Sequence, residues 1–342
     1  MPDINIMAKM PRNNIRKAYE SMGFNKVNKK DFQSGLTVLS LFDGISCGRV
    51  ALERAGIKVN QYYASEIKKS AIKVTIQNYP DTIQLGDVKK ITYENGVLHS
   101  ENGDYNVGHI HLLIGGSPCQ NFSSAKILDP TTQKQEGLKG DKSELFYEYL
   151  RLLKQIMPDY FLLENVKMKK ESEAELNAYL GVTGIHINSS LVSFQDRKRI
   201  YWTNISGVTL PKDKNIDFQD FKDTDFEYCS QYKLKETPMR ITSWNGGKGR
   251  IPKFKGDNTA KYCENVTHAK KIRTLTCKQD RSPNSGLIEF DGFCRYLTTR
   301  ELELAQTLPV GYTSCLSMRQ AEDVLGDGWT VDVIAHILKH IK

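Results

Sequence analysis

A thiol, a carboxylate and two guanidinium groups stand beside the ends of apolar runs in this chain. Cys119 follows "LLIGGSP", Glu164 and Asn165 come at the end of the apolar run in "YFLLENV", and Arg197 and Arg199 alternate in "SFQDRKRIYW". A cysteine on the loop just beyond a buried strand is a covalent nucleophile when its pKa is lowered. A carboxylate at the neighbouring strand end pairs it with an acid. If "QDRKR" is extended, the two arginines share one face and suit a phosphate or a polar base edge. Each residue alone has an ordinary alternative, a packed thiol or a charged surface strand. The set of them is harder to explain that way.

A second group lies upstream. "LSLFDGISCGRVALERAG" reads as a strand, a tight turn at Gly44 and Gly48, and a helix whose N-terminus points at a ligand. Glu66 ends the second strand candidate at about the 20-residue offset at which an acidic side chain meets ribose hydroxyls. Asp87 ends the third. Either both carboxylates bind a ligand or both cap helices.

The elements that must position these groups alternate. TVLSLF, YYASE, IQLGD, HLLIGGS, YFLLENV and INSSLVS are strand candidates, and Cys47–Ala55 and Ser143–Met157 are the clearest helices. That order predicts an α/β fold with a doubly wound, mostly parallel sheet and ligands at the carboxyl ends of its strands. The expected organisation is a basic N-terminal extension (1–34), a catalytic domain (35–205), a small irregular module (206–292) and C-terminal helices packing back on the catalytic domain (293–342). In the last, Val331, Ile334, Ile337, Leu338 and Ile341 form one apolar face.

With 342 residues, 39% hydrophobic and 26% charged, the chain can bury a large core without staples. Nothing approaches a membrane span or a signal peptide, so a cytoplasmic protein without a membrane partner is expected. Seven cysteines without a CxxC pair suggest neither a disulfide framework nor a metal site. The net charge of +8 is concentrated: Lys233 to Arg281 holds 13 Lys and Arg against 4 Asp and Glu, and residues 1–30 hold 7 against 2. An acidic body with two basic segments fits a surface that meets a polyanion.

Taken in order, Asp43–Gly48, Glu66, Asp87, "SPCQNFS", "LLENV" and "QDRKR" resemble the successive motif blocks of cytosine-5 DNA methyltransferases. "RYLTTREL", "LPVGYT" and "WTVDVIAHI" resemble that family's last two blocks, so the similarity runs from Thr37 to Ile341. It is greatest to the short bacterial and phage enzymes and to the catalytic part of animal de novo methyltransferases. The resemblance implies a Rossmann-like methyltransferase fold, with the basic module as the target-recognition domain. It also implies S-adenosylmethionine as cofactor, with S-adenosylhomocysteine as product. Phe42, Asp43, Gly44, Ile45, Ser46, Gly48, Ile67, Val88, Pro118, Trp329 and Thr330 would surround the cofactor, with Glu66 on its ribose and Asp87 near its adenine amine. Cys119 would attack C6 of cytosine, Glu164 would hold and protonate N3, Arg197 would support the base and Glu164, and Asn165 and Arg199 would complete the pocket.

The implied chemistry is coherent. Carbon 5 of cytosine is a poor nucleophile, and thiolate addition at C6 turns it into an enamine carbon that accepts a sulfonium methyl group. Loss of the C5 proton then expels the thiol, so the group must add readily and also depart. None of this is possible inside a stacked duplex, so the base must be flipped out.

Double-stranded DNA is the implied partner, with Gln120, Ser123, Gln195, Arg250, Lys253, Arg273 and Arg281 as its contacts and Asn245 and Gln279 as further candidates. A monomer is expected, and a cognate restriction endonuclease is a candidate partner. Three departures from the pattern stand out: Asp327 in "GDGWTV" replaces an amide, Lys142 replaces an arginine, and the basic leader has no counterpart. The rivals are a tRNA enzyme, whose branch carries a Cys-Phe-Thr motif absent here, a catalytically inactive DNA-binding relative, and a nicotinamide enzyme, whose GxGxxG spacing is absent.

Overall fold

A computed structural model describes residues 35–117, 144–234, 265–280 and 284–341. Strand β1 (Leu36–Leu41) is buried throughout and alternates between two cores: Leu36 and Val38 face one, Leu39 and Leu41 the other. A strand apolar on both faces belongs in the middle of a sheet covered on both sides. The chain continues through α1 (Cys47–Arg54), β2 (Val59–Ser65), α2 (Lys69–Asn78) and β3 (Ile83–Gln84). An antiparallel insert of β4 (Thr92–Glu94), β5 (Val97–Ser100) and β6 (Gly103–Asn106) precedes β7 (Leu112–Gly115). Then come α3 (Glu144–Ile156), β8 (Tyr160–Val166), α4 (Lys170–Leu180), β9 (Ile185–Asn188), β10 (Gln195–Asp196) and β11 (Lys198–Thr203).

The main sheet has the order β3-β2-β1-β7-β8-β11-β9. Strands from β3 to β8 run parallel, and β11 is antiparallel to both β8 and β9. This is the expected mostly parallel α/β sheet. The chain winds outward from β1 to β3 and returns to β7 on the other side of β1, which opens a crevice at the carboxyl ends of those strands. Helix α3 covers one face with Phe146, Tyr149, Leu150, Leu153 and Ile156, a helical repeat of buried positions. The strand expected over "INSSLVS" stops at Asn188, because the Asn188 side chain accepts from the Ser190 N–H and starts a tight 3-10 turn at Ser189–Leu191.

The remaining elements are α5 (Phe226–Ser230), β12 (Ile272–Arg273), β13 (Ile288–Phe290), β14 (Phe293–Arg295), α6 (Thr299–Ala305), α7 (Met318–Asp327) and α8 (Val331–Leu338). Helix α8 shares a core with Val50 and Ala51 of α1, and Arg54 reaches its Asp332 at 2.6 Å. Arg295 and Glu301 form a two-pronged ion pair at 2.8 and 2.9 Å in which neither side chain is exposed. Glu301 also accepts from the N–H groups of Asp223 and Thr298, tying α6 to the segment before α5. Glu301→Ala strands a buried guanidinium and should cost about 3–5 kcal/mol of unfolding free energy. Urea denaturation checks this, and replacing both partners by apolar residues should cost less than the single change.

Candidate active site

The turn after β1 is held in an uncommon shape. Phe42, Gly44 and Ser46 all have left-handed backbone, with φ of 57°, 61° and 57°. Such conformations at non-glycine residues cost on the order of 1–3 kcal/mol each and persist only where neighbours fix them. Here the neighbours are identifiable. The Glu66 carboxylate, at the end of β2, accepts from the Gly44 N–H at 2.8 Å and from those of Ile67 and Lys68, also at 2.8 Å. The Asp43 carboxylate accepts from the Ser46 hydroxyl at 2.5 Å and the Tyr62 hydroxyl at 2.7 Å. From the C-terminal part of the chain, the Tyr312 hydroxyl donates to the Ile45 carbonyl at 2.7 Å. Burial pushes the Asp43 carboxyl above the ordinary carboxylate value, against hydrogen bonds from Ser40, Ser46 and Tyr62 that lower it.

This turn forms one wall of a cavity of about 390 Å³ at the carboxyl ends of β1, β2, β7 and β8. Phe42, Asp43, Gly44, Glu66, Ile67, Asp87 and Val88 lie on that side. Ile67 is 69% exposed, an apolar side chain standing open at the cavity. Asp87 receives the Lys89 N–H on one oxygen, so it caps a short 3-10 turn and lines the cavity as well. Ile45, Ser46, Gly48 and Thr330 stand behind the wall as its supports. Thr330 is buried against Ser189 and Gln306, and Gly48 has no room for a side chain beside Ile114.

The opposite wall holds Gly116, Ser117, Glu164, Asn165, Arg197 and Arg199. Glu164 is 8% exposed, with Oε1 accepting from Arg199 Nε at 2.9 Å and Oε2 from the Trp329 indole N–H at 3.2 Å. Where the resemblance put Arg197 beside Glu164, the ion pair comes from Arg199. The guanidinium of Arg197 instead donates to the carbonyls of Leu275, Gly326 and Gly328 at 3.3, 3.3 and 2.9 Å, which braces the end of α7. Asn165 donates to the Ser117 hydroxyl and carbonyl at 3.2 and 3.4 Å, which fixes the residue that stands two positions before Cys119 in the sequence.

Trp329, expected only beside a cofactor, therefore also positions Glu164. Gly116 stands at the end of the apolar run ahead of the thiol in "IGGSP", and the need for a glycine there is tertiary: a Cβ would lie 2.7 Å from the Trp329 indole nitrogen and 3.1 Å from Glu164. Gly116→Ala should cost about 1–3 kcal/mol of unfolding free energy by forcing that contact apart, and a denaturant titration measures it.

Two of the expected DNA contacts are corrected. Gln195 is fully buried, its amide donating to Ala305 and Gln306 and accepting from the Leu275 N–H at 2.9 Å. Gln279 is 4% exposed and spends its side chain on both backbone groups of Leu297. An amide whose donors and acceptor are satisfied inside the fold is no reader of bases. Arg273 is half-buried on β12, and its N–H donates to the Ser285 carbonyl. Pro118, Cys119, Gln120, Ser123, Lys142, Asn245, Arg250, Lys253 and Arg281 lie outside the described residues.

Of the cysteines described, Cys47, Cys229 and Cys294 are buried, and burial pushes the Cys47 thiol up to about 12, which disfavours its thiolate. Among the described residues, no helix is long and apolar enough to cross a membrane.

The model of the C-5 cytosine-specific DNA methylase family matches residues 36–342. The orphan methyltransferase M.Rho11sI of Bacillus phage rho11s is 36% identical over 225 residues, 62% of this chain and 40% of its own. The orphan methyltransferase M.SPRI of Bacillus phage SPR is 30% identical over 224 residues, 61% of this chain and 46% of its own. The chain spans about half the length of the curated relatives it matches. Among solved structures, the Entamoeba histolytica methyltransferase EhMeth superposes with a TM-score of 0.64 at 15% identity, over 90% of this chain and 98% of that one. The S. pombe Dnmt2 methyltransferase gives 0.63 at 15% identity, over 89% and 97%. At these identities the structures speak to the fold.

Proposed function

The chain belongs to the C-5 cytosine-specific DNA methylase family, and on that premise we propose that it transfers a methyl group from S-adenosylmethionine to carbon 5 of cytosine in double-stranded DNA. The observation that carries this reading is one cavity with two differently equipped walls. One wall has the pinned Gly44 turn with Glu66 and Asp87, and the other has Glu164 held by Arg199 and Trp329, together with Gly116 and Ser117, which precede Cys119 in the sequence.

The first wall suits a nucleoside with a charged tail. Glu66 offers a carboxylate to vicinal hydroxyls, Asp87 offers an acceptor to an exocyclic amine, and the exposed Ile67 offers an apolar face to a purine. A cavity of about 390 Å³ lies in the range of small-molecule clefts. S-adenosylmethionine supplies an electrophilic methyl group on a sulfonium.

The second wall handles the base. Cys119, two residues after Ser117, adds through sulfur to C6 of a flipped-out cytosine, and the electron pair of the C5–C6 double bond moves onto C5. Glu164 holds and protonates N3, which favours that addition by accepting the charge the ring gains. After C5 is methylated, its proton leaves to a base, the double bond re-forms and the thiolate departs. The basic stretch from Lys233 to Arg281 serves as the phosphate-binding surface of a target-recognition module. Among its residues, Arg273 is the described candidate contact.

Conversion sequencing of DNA from a methylation-free bacterial host expressing the chain tests the reading. Methylated cytosines confined to one short sequence context are the expected result. Unmethylated DNA with soluble, S-adenosylmethionine-binding protein would overturn it.

A further inference from the structure

Asp327, at the C-terminus of α7, turns its two carboxylate oxygens in different directions. Oδ2 accepts from the Lys68 ammonium at 3.0 Å and Oδ1 from the Cys277 thiol at 2.9 Å. Lys68 lies two residues after Glu66, which pins the Gly44 turn, and both Lys68 and Asp327 line the cavity. Cys277 belongs instead to the segment 274–280, inside the basic stretch and behind the cavity wall.

That segment is seated closely on α7. A side chain at Gly326 would run into the backbone of Thr276 and Cys277, the Gln279 N–H donates to Glu322, and Arg197 bonds carbonyls on both sides of the contact. Burial, with the Asp327 carboxylate beside it, pushes the Cys277 thiol up to about 12, so it stays protonated and donates. Cys277, Asp323 and Asp327 also place three metal-type donors within 4.8 Å of one another. The Lys68 ammonium already sits on both carboxylates, at 2.8 and 3.0 Å, and supplies the positive charge there.

We propose that Asp327 and Cys277 are positioning residues that couple the cofactor cavity, through segment 274–280, to the basic stretch read above as the DNA-binding module, so that cofactor and duplex each raise the affinity for the other. This rests on the methyltransferase reading above. A carboxylate takes a donor on each oxygen, whereas an uncharged amide at this position keeps one of these donors on its oxygen and turns its NH₂ to the other, losing the charge that holds Lys68 or reversing the bond to a weakly accepting Cys277 sulfur. Whichever ligand orders its own side of Asp327 spares the other part of that ordering, and such coupling is reciprocal by necessity.

The test measures S-adenosylhomocysteine affinity by calorimetry, with and without a mixed-sequence duplex containing cytosines, for the unaltered chain, Cys277→Ala and Cys277→Ser. Cys277 lies behind the cavity wall, so its loss should leave the duplex-free affinity in place. In the unaltered chain the duplex should tighten binding about tenfold or more, within the usual range for coupled sites. Cys277→Ala should bring that ratio close to one, since one hydrogen bond to a charged group is worth about a factor of ten. Cys277→Ser, which keeps a donor, should recover part of it. An undiminished ratio in Cys277→Ala overturns the proposal, as does equal weakening with and without duplex, which marks a purely structural role. If the unaltered chain binds both ligands without coupling, this proposal alone falls. If it binds neither, the functional reading falls with it.

Discussion

Glu164→Gln is expected to slow methyl transfer by about a hundredfold to ten-thousandfold, the range for removing a positioned proton donor, with S-adenosylhomocysteine affinity changed only a few-fold. The reasoning is local. Glutamine keeps the shape of glutamate but has one oxygen, while Glu164 receives N–H donors on both, from Arg199 at 2.9 Å and from Trp329 at 3.2 Å. One of those donors would face an NH₂ group and turn away, a cost of about 1–3 kcal/mol. A rate loss well beyond that cost belongs to the chemistry at N3, because an amide has no proton to give it. Glu66 and the Gly44 turn are on the other wall and keep their bonds. Single-turnover transfer and equilibrium cofactor binding, measured on the same preparation, separate the two effects. Parallel losses in both would reassign Glu164 to cofactor binding.

The sequence foretells this site unevenly, and the reasons are physical. The Gly44 turn and the strand-end carboxylates Glu66 and Asp87 are legible because a glycine between an apolar strand and a helix, and an acid at a strand end, are local signals. Which arginine serves Glu164 is a matter of strand register. The antiparallel pairing of β11 with β8 sets Tyr201 opposite Glu164, so Arg199, two residues away, is its same-face diagonal neighbour. Arg197 precedes β11 and turns to the end of α7. Gln195 has the look of a surface residue until α6 and the Leu275 segment close over it, a tertiary event with no local trace. The insert of β4 to β6 did have a trace: "YENGV" places Asn95 and Gly96, both with left-handed backbone, at a two-residue hairpin turn.

Cys119→Ser should reduce methyl transfer by more than about ten-thousandfold, as removal of an enzyme's nucleophile commonly does, without loss of cofactor or duplex binding. A serine hydroxyl remains protonated at neutral pH, and among the described residues that line the cavity there is no histidine, while the lysine there, Lys68, is held by the carboxylates of Asp323 and Asp327. A thiol, closer to ionisation, needs less help. The adduct itself is open to capture. Departure of Cys119 requires a proton to leave C5, and fluorine placed at C5 has no route out as a cation. A duplex carrying 5-fluorocytosine, incubated with S-adenosylmethionine, should therefore hold the unaltered protein in a complex that survives denaturing electrophoresis, and the serine variant should leave no such band. Methyl transfer that continues in Cys119→Ser at a comparable rate would remove the thiol from the reaction and, with it, the proposed route through C6.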